Sequence, residues 1–239
     1  MTRRATTAPR PASANGADSA SASAWREGRK RLRDHTIKRD AVIRTAAHHF
    51  KEHGFHNTSL ESIATALDVT KPTLYYYVPN KEQLLFECFV AGLEPIRAAL
   101  GAAKQPGVPA RGRLSAVLTE YAKAVASEFG WCMVRAEHQD LSPTMSERVR
   151  GLKAEIDQGI RRLLREGVRD GSIRRCDVKM TAFALAGALN WIAHWYREQR
   201  DMSAEQIAEA FIHLFEEGLR PREARRRPAN RPAPRGAGA

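Results

Sequence analysis

The sequence has few cysteines, no long apolar run and none of the short motifs that mark common enzyme families. Its cysteines, Cys88, Cys132 and Cys176, are far apart and form no CxxC pair, which suits the reducing cytoplasm better than a disulfide framework. No apolar run approaches the roughly 18 residues that a membrane-spanning helix needs. These absences favour a cytoplasmic protein with no membrane partner.

Catalytic and metal-binding motifs are also missing. The chain has no GxSxG, no Walker phosphate loop and no GxGxxG, and its acidic residues form no evident catalytic pair. His49 and His53 are one helical turn apart, but no HExxH pattern or nearby cysteine accompanies them, which favours a polar helix face over a zinc site. We therefore expect no enzyme, no metal and no cofactor. The alternative is an enzyme whose reactive groups meet only in three dimensions.

Large apolar residues are scarce at both ends of the chain. Residues 1–24 contain no Val, Ile, Leu, Phe, Trp or Tyr, and residues 220–239 are mainly Pro, Arg and Ala. Segments with so little to bury cannot repay the entropy of ordering, so we predict a disordered basic arm over 1–34 and a disordered tail over 220–239. The first 24 residues also lack the apolar stretch of a secretory signal.

The formal net charge of +12 lies in these ends. Residues 1–40 carry ten Lys or Arg against four Asp or Glu, residues 220–239 carry seven against one, and residues 41–219 carry twenty-two of each. Basic tails on a neutral body favour a polyanion as partner, nucleic acid first, although such tails can also serve solubility alone. The segment 26–39 has two interpretations. It is either an arm that follows the DNA backbone or enters the minor groove, or a solvated extension of the first helix.

Between the ends, apolar residues recur at helical spacing, and the strict alternation of a strand is absent. Gly, Pro and capping residues divide this part into segments. The sequence therefore predicts an all-α protein, with helices over about 36–53, 59–67, 71–77, 81–95, 111–129, 131–140, 143–169, 177–199 and 203–218.

Two neighbouring helix starts carry cap signals. Thr58 and Glu61 have the spacing of a capping box, and Thr70 fits the N-cap of the next helix, where Pro72 is tolerated in the first turn. The tight link between these two short helices contains Asp68, a residue type that tolerates left-handed backbone better than most. The pair is a helix-turn-helix candidate, whose second helix would enter the major groove of DNA.

This candidate is part of a longer pattern. The segments AVIRTAAHHFKEHGFHNTSLESIATAL and VTKPTLYYYVPNKEQLL, within residues 38–85, resemble the N-terminal domain of the TetR family of bacterial transcriptional regulators. The resemblance implies a three-helix DNA-binding domain over 35–82 and a ligand-binding and dimerisation bundle of helices over 83–219. It also implies a palindromic, double-stranded operator as partner and a homodimer formed through the last two helices.

The resemblance carries DNA-contacting roles onto nine positions. Tyr75 and Tyr77 match positions that clamp phosphates, and Lys71, Pro72 and Tyr76 match positions closer to the bases. Judged from the residues alone, a small exposed helix with a partly buried aromatic cluster is the alternative. The expected DNA-binding set is Thr58, Ser59, Lys71, Pro72, Thr73, Tyr75, Tyr76, Tyr77 and Lys81.

The second half of the chain gives a less specific signal. The stretch from Ala182 to Trp195 is apolar almost all round, so its helix should be covered on more than one face, by a ligand or by a second subunit. An apolar pocket with polar anchors is the functional interpretation, and plain core or dimer interface is the alternative. The candidate ligand-binding residues are Phe129, Met133, Arg135, His138, Phe183, Asn190, Trp191 and Trp195, with Trp131 and Cys132 beside them.

The runs GALNWIAHWYREQ and SAEQIAEAFIHLFEEGL resemble the C-terminal end of TetR-type regulators of lipid and acyl-CoA catabolism. An acyl-CoA is therefore the leading effector hypothesis, ahead of an aromatic acid or a hydrophobic drug-like compound. The family implies a repressor that leaves its operator when the effector moves the fourth helix. Activation, and a ligand-independent architectural DNA-binding protein, are the alternatives.

Overall fold

The computed structural model describes residues 35–36, 38–105, 107–136, 138–197 and 202–220, without the side chain of His138. Within these ranges the regular structure is entirely helical, which confirms the predicted all-α class, and no helix there is long and apolar enough to cross a membrane. The predicted arm over 1–34, Ile37 of the first helix and the tail beyond residue 220 lie outside the described residues.

The described helices follow one another with short connections. They are α1 (35–36 and 38–53), α2 (Leu60–Ala66), α3 (Lys71–Tyr77), α4 (Lys81–Ala102), α5 (Ala110–Ala126), α6 (Gly130–Val134), α7 (Pro143–Arg169), α8 (Val178–Trp195) and α9 (Ala204–Leu219), with a short 3₁₀ helix, His138–Asp140, before α7.

Helices α1 to α3 form a small unit, called the N-terminal head below. Phe50 of α1, Ile63 of α2 and Leu74 of α3 have no exposed surface, and Leu84 at the start of α4 joins them. Each is a large apolar residue at the inward position of an amphipathic helix, so burying the four together stabilises the head. Its core continues along α4 into the second half of the chain.

The start of α2 differs from the predicted capping box. The N-cap is Ser59, whose Oγ accepts from the Ser62 N–H at 3.0 Å, while Ser62 Oγ accepts from the Ser59 N–H at 3.3 Å. Thr58 instead is buried, and its hydroxyl donates to the carbonyls of Gly54 and His49 at 2.9 and 3.2 Å. The prediction that Thr58 and Glu61 form the box was wrong, because the loop draws the Thr58 hydroxyl inward.

Helix α4 is longer than predicted. It continues for 22 residues, through Pro95, to Ala102, although a proline inside a helix removes one backbone hydrogen bond. Leu93, Ile96 and Leu100 around that proline are buried. Their packing outweighs the local backbone cost, so one helix connects the N-terminal head to the rest of the protein.

Helices α5 to α9 form a second unit, called the C-terminal bundle below. Helix α5 lies in its middle and packs against α4, α7, α8 and α9. Its inward residues Leu114, Val117, Leu118 and Val125 are buried, as the amphipathic pattern predicts.

The predicted helices over 111–129 and 131–140 are shorter in the structure. Ser127 ends α5 in an extended conformation, and its Oγ accepts from the Phe129 N–H at 3.2 Å. A Cβ on Gly130 would lie 1.9 Å from the carbonyl oxygen of Val125, so only glycine permits this return of the chain. The helix predicted over 131–140 therefore divides into α6 and the 3₁₀ helix. Similarly, α8 ends at Trp195 because Tyr196 adopts extended backbone.

Candidate nucleic-acid interface and effector region

Helices α2 and α3 have the arrangement of a helix-turn-helix. Asp68 in the link has a φ of 53°, the left-handed conformation that its residue type was expected to tolerate. Thr70 caps α3 by accepting from the Thr73 N–H, and Leu74 and Val78 hold the helix to the core. The opposite side of α3 is thereby turned to solvent.

The solvent side of α3 carries most of the predicted DNA-binding residues. Tyr75 is 45% exposed and Tyr76 is 73% exposed, whereas Tyr77 is half-buried and packs against the core. An exposed tyrosine presents a hydroxyl that can donate to a phosphate or a base edge. The residues that share this exposed side are Lys71, Pro72, Thr73, Tyr75 and Tyr76.

Two predicted DNA-binding residues have internal partners instead. Thr58 is buried, as described above. The Lys81 ammonium donates to the carbonyls of Phe55 and Thr58 at 2.8 and 3.0 Å, with His56 further away at 3.4 Å, and it lies 4.4 Å from the Phe55 ring centre. These contacts occupy its donors, so Lys81 secures the link between α1 and α2. Ser59 remains exposed beside that link.

His35, a residue that the sequence analysis did not select, lies against the tyrosine run. Its ring centre is 5.5 Å from that of Tyr76 and 5.0 Å from that of Tyr77. His35 is the first described residue after the predicted basic arm over 1–34. The contact spans about 40 positions of sequence and no local pattern indicates it.

The exposed side of α3 has little charge of its own. Its cation, Lys71, lies 4.0 Å from the carboxylate of Glu61 on α2, and both side chains are solvent-exposed. An exposed ion pair of this kind is weak and is screened by salt. This surface therefore offers mainly hydroxyls, and it has little charge with which to attract a polyanion over long range.

The predicted ligand-binding residues do not face one common space. Phe129 and Met133 are buried against α4, where a Cβ on Gly92 would lie 2.6 Å from the Met133 sulfur. Asn190 accepts from the Tyr121 hydroxyl at 3.1 Å between α8 and α5, and burial raises the pKa of Tyr121. Arg135 is exposed, and the side chain of His138 lies outside the described part.

Three further predicted ligand-binding residues, all aromatic, are exposed along α8. Phe183 is 50% exposed, Trp191 62% and Trp195 40%, and Met180 extends the same face. On α9, Leu214 is 66% exposed. Such an apolar face on a single chain is a candidate for covering by another surface, so these side chains do not line the interior of the bundle.

The N-terminal head touches the C-terminal bundle on both sides of α6. Arg44 of α1 forms an ion pair with Glu128, and its guanidinium lies 5.6 Å from the Phe129 ring centre. Beyond α6, His56 Nε2 lies 2.9 Å from Asp140 Oδ1. No local sequence pattern indicates these residues, because the two members of each pair are distant along the chain.

The first turn of α4 adds a third contact between these regions. The Ser142 N–H donates to Glu82 Oε1 at 2.7 Å, and hydrogen bonding from the side chain and then the backbone of Ser142 lowers the pKa of Glu82. One turn further on, Cys88 Sγ donates to the Ile43 carbonyl at 3.5 Å. The segment around α6 is thus attached to α1, to the loop before α2 and to α4.

Two family models match the chain. The model described as "Bacterial regulatory proteins, tetR family" matches residues 42–88, and the one described as "Tetracyclin repressor-like, C-terminal domain" matches residues 107–219. Among curated relatives, the uncharacterised HTH-type transcriptional regulator YhgD of Bacillus subtilis is 21% identical over 173 residues, covering 72% of this chain and 91% of its own.

Solved structures agree with these matches. The TetR family regulator PfmR from Thermus thermophilus aligns with a TM-score of 0.67 at 28% identity, over 75% of this chain and 99% of that one. AibR, solved in complex with isovaleryl coenzyme A and operator DNA, aligns with a TM-score of 0.63 at 26% identity, over 74% and 96%. Members of the family bind operator DNA and small-molecule effectors and are dimers. With a helix-turn-helix head, a helical C-terminal bundle and matches to both domain models, the chain belongs to the TetR family of bacterial transcriptional regulators and is a DNA-binding protein, not an enzyme.

Proposed function

We propose that the protein is a homodimeric repressor, acting in the cytoplasm, that binds a palindromic operator and leaves it when an acyl-CoA binds. The observation that carries this proposal is the exposed side of α3, where Tyr75, Tyr76, Lys71 and Thr73 stand on a helix fixed by buried Leu74. Tyrosine and threonine hydroxyls donate to phosphate oxygens and base edges, which suits the major groove.

The proposed DNA-binding set is narrower than the sequence indicated. Tyr75 contacts phosphate, Tyr76 and Lys71 lie nearer to the bases, and Ser59 contacts phosphate from the start of α2. Thr58 and Lys81 act in support, since their polar groups have internal partners. Tyr77 positions Tyr76 through the ring contact at 5.3 Å between them.

The dimer forms through α8 and α9. Along α8 the exposed positions Met180, Ala184, Gly187, Trp191 and Trp195 are three or four residues apart, the spacing of one helix face. Gly187 has no atom within 4 Å of a built Cβ, so a second chain can approach closely there. Phe183, Trp191 and Trp195 accordingly belong to the dimer interface, and two-fold symmetry places two α3 helices on one face of a palindrome.

Release depends on α4 and the segment around α6. The effector opens a space beside α6 and α8 when it binds, and Phe129, Met133 and Asn190, which contact different neighbours in the structure, then line that space. Because Phe129 also contacts Arg44 of α1, a shift of this segment reaches the head directly. A change of a few ångströms in the separation of the two heads would break their register with half-sites one DNA turn apart.

The acyl-CoA assignment is supported by the likeness to AibR, a protein solved with both a CoA thioester and operator DNA. The test is a gel-shift assay with the full chain and an inverted-repeat DNA, challenged with isovaleryl-CoA, longer acyl-CoAs, free acids and aromatic acids. We expect a sequence-specific complex that acyl-CoAs dissociate. Release by aromatic acids alone would remove the acyl-CoA assignment, and binding to any DNA sequence alike, lost at moderate salt, would support the architectural alternative.

A further inference from the structure

An open cleft of about 500 Å³ lies between the C-terminal half of α4 and the middle of α7, away from the α3 surface and from the α8 face. Its volume is within the range of small-molecule sites. Unlike the interior of the bundle, its walls carry many charges. The charged lining residues are Glu94, Arg97, Lys104, Glu155, Arg162 and Arg165.

Part of this charge is internally neutralised. Arg97 donates to Glu155 at 2.9 Å and to Glu94 at 2.8 Å. It therefore connects α4 to α7 and pairs with both carboxylates of the cleft. Arg162 has a looser partner, Glu166, at 3.8 Å, and Glu166 is itself held by Arg113 at 2.9 Å. The carboxylates of Glu94 and Glu155 are thus paired with Arg97, whereas the ion pair of Arg162 is long.

Two further cations of the cleft, Lys104 and Arg165, have no carboxylate partner within the described ranges. Together with Arg162 they give one small volume a local positive surplus, whereas residues 41–219 as a whole carry equal numbers of each sign. Cations gathered around a cleft without matching carboxylates attract a multivalent anion, and arginine guanidinium groups fit phosphate oxygens in pairs.

The floor of the cleft is apolar and tightly packed. Leu100 lies over Gly159, where a built Cβ would be 2.7 Å from one terminal carbon of Leu100. Gly101, one residue further on, also lines the cleft but has open space around it. The site therefore combines an apolar contact between Leu100 and Gly159 with surrounding cations, which suits a nucleotide better than a free inorganic ion.

We infer that this cleft binds the phosphate-bearing nucleotide part of the effector, and in this respect the inference rests on the proposed function. Bound there, a diphosphate would bridge Lys104, at the end of α4, and Arg162 and Arg165 on α7. The ligand would thus tie the helix that follows the N-terminal head to the bundle. The acyl group and the nucleotide would act on two parts of the same release mechanism.

Titration calorimetry on the full chain tests this inference with isovaleryl-CoA, isovaleryl-pantetheine, which lacks the nucleotide, and inorganic pyrophosphate. We expect isovaleryl-CoA to bind at least tenfold more tightly than the pantetheine thioester, with an affinity that falls as salt rises. Lys104→Ala combined with Arg165→Ala should remove most of this advantage. Arg175→Ala, at an exposed arginine outside the cleft, is the matched control and should leave it unchanged.

A steric variant tests the location without altering any charge. Gly101→Leu should fill the cleft and weaken isovaleryl-CoA binding, whereas Gly151→Leu, at an equally open position on α7, should not. Equal binding of the two thioesters, unchanged binding in the double variant, or binding of pyrophosphate alone would overturn the inference. If isovaleryl-CoA and isovaleryl-pantetheine both release the operator, the proposed function remains supported and only the role of the cleft is excluded. If the untreated chain binds no operator, the proposed function itself fails.

Discussion

The N-terminal head and the C-terminal bundle differ in what their exposed residues do. In the head, α3 buries Leu74 and Val78 and turns polar and aromatic side chains outward, as expected of a surface that meets a hydrated, charged groove. In the bundle, α8 buries one apolar face and leaves a second apolar face, with Trp191, exposed. The first surface is complete on one chain, whereas the second calls for another apolar surface to cover it.

An exposed aromatic residue does not by itself identify the kind of partner that its surface binds. Tyr76 and Trp191 are similarly exposed, at 73% and 62%. Tyr76 has a hydroxyl and lies beside Lys71 and Thr73, while Trp191 lies among Ala, Gly and Met positions and stacks on His194 at 4.7 Å. The neighbours decide whether such a side chain suits DNA or protein.

The largest expected effect is on the core of the head. Leu74→Ala removes a side chain with no exposed surface, so we expect a loss of about 2–5 kcal/mol in the free energy of unfolding of the head and loss of operator binding. Thermal unfolding followed by circular dichroism, together with a gel shift, measures both. Val108→Ala, at a 57% exposed position before α5 and outside the proposed dimer interface, is the control and should leave stability nearly unchanged. Equal destabilisation by the two changes would contradict the assignment of core and surface.

The next largest effect is expected on the exposed apolar face of α8, which we propose forms the dimer. Trp191→Glu places a charge on the exposed apolar face of α8, and we expect at least about 2 kcal/mol of lost association free energy, since buried interface tryptophans commonly contribute that much. Size-exclusion chromatography with light scattering measures the shift from dimer to monomer. Gly151→Glu adds the same charge at an open position of α7 and should leave the dimer intact. A variant that stays dimeric would place the interface elsewhere.

A smaller effect should appear on the exposed side of α3. Tyr75→Phe and Tyr76→Phe each remove one hydroxyl, and we expect operator binding to weaken by about 1 kcal/mol, roughly fivefold, for each lost hydrogen bond. Tyr121→Phe is the control, because its hydroxyl bonds to Asn190 inside the bundle. That change should alter the response to effector and leave operator affinity in its absence unchanged. Full operator affinity in both α3 variants would show that the surface is misassigned.

The contact between head and bundle should matter for regulation more than for stability. Arg44→Ala removes the Glu128 ion pair and the contact with Phe129, and because Arg44 is largely exposed we expect a change in stability of at most about 1 kcal/mol. The concentration of acyl-CoA needed for half-release of operator should nevertheless change. Arg150→Ala removes an exposed ion pair within α7 and serves as control. An unchanged half-release concentration would exclude Arg44 from the coupling.

The smallest effect concerns acid sensitivity. Hydrogen bonding from the side chain and then the backbone of Ser142 lowers the pKa of Glu82 below its ordinary value of 4.5, so the folded state favours the ionised carboxylate. The stability from this group is complete above about pH 4.5 and is lost as the pH falls through the lowered pKa. Glu82→Gln should therefore reduce the difference in melting temperature between pH 6 and pH 3. Glu147→Gln, at an exposed carboxylate of α7, should not; equal changes in the two would exclude this linkage.

Local sequence patterns predicted the head well. The cap at Thr70 and the left-handed conformation of Asp68 depend on residues within one or two helical turns, and the structure confirms both. The error at Thr58 arose because a hydroxyl can cap a helix or fold back onto carbonyls. That choice depends on where the chain from α1 places Gly54 and His49.

Patterns in the C-terminal bundle were less informative about the site. The periodicity of α7 and the apolar character of α8 were visible, and the structure confirms both helices. The periodicity could not indicate which aromatic residues point inward, since α8 is apolar on nearly every face. The cleft between α4 and α7 was also missed, because its cations come from segments about 60 residues apart.

The sequence by itself determined the all-α class, the helix-turn-helix and the family, because caps, turn residues and helical periodicity act over a few neighbouring positions. Only the tertiary structure decided that Thr58 and Lys81 face inward, that Trp191 faces outward and that Arg44 reaches across to the bundle. Each of these outcomes depends on which helix packs beside the residue. Packing joins positions far apart along the chain, and its free energy is shared among many contacts that no local pattern contains.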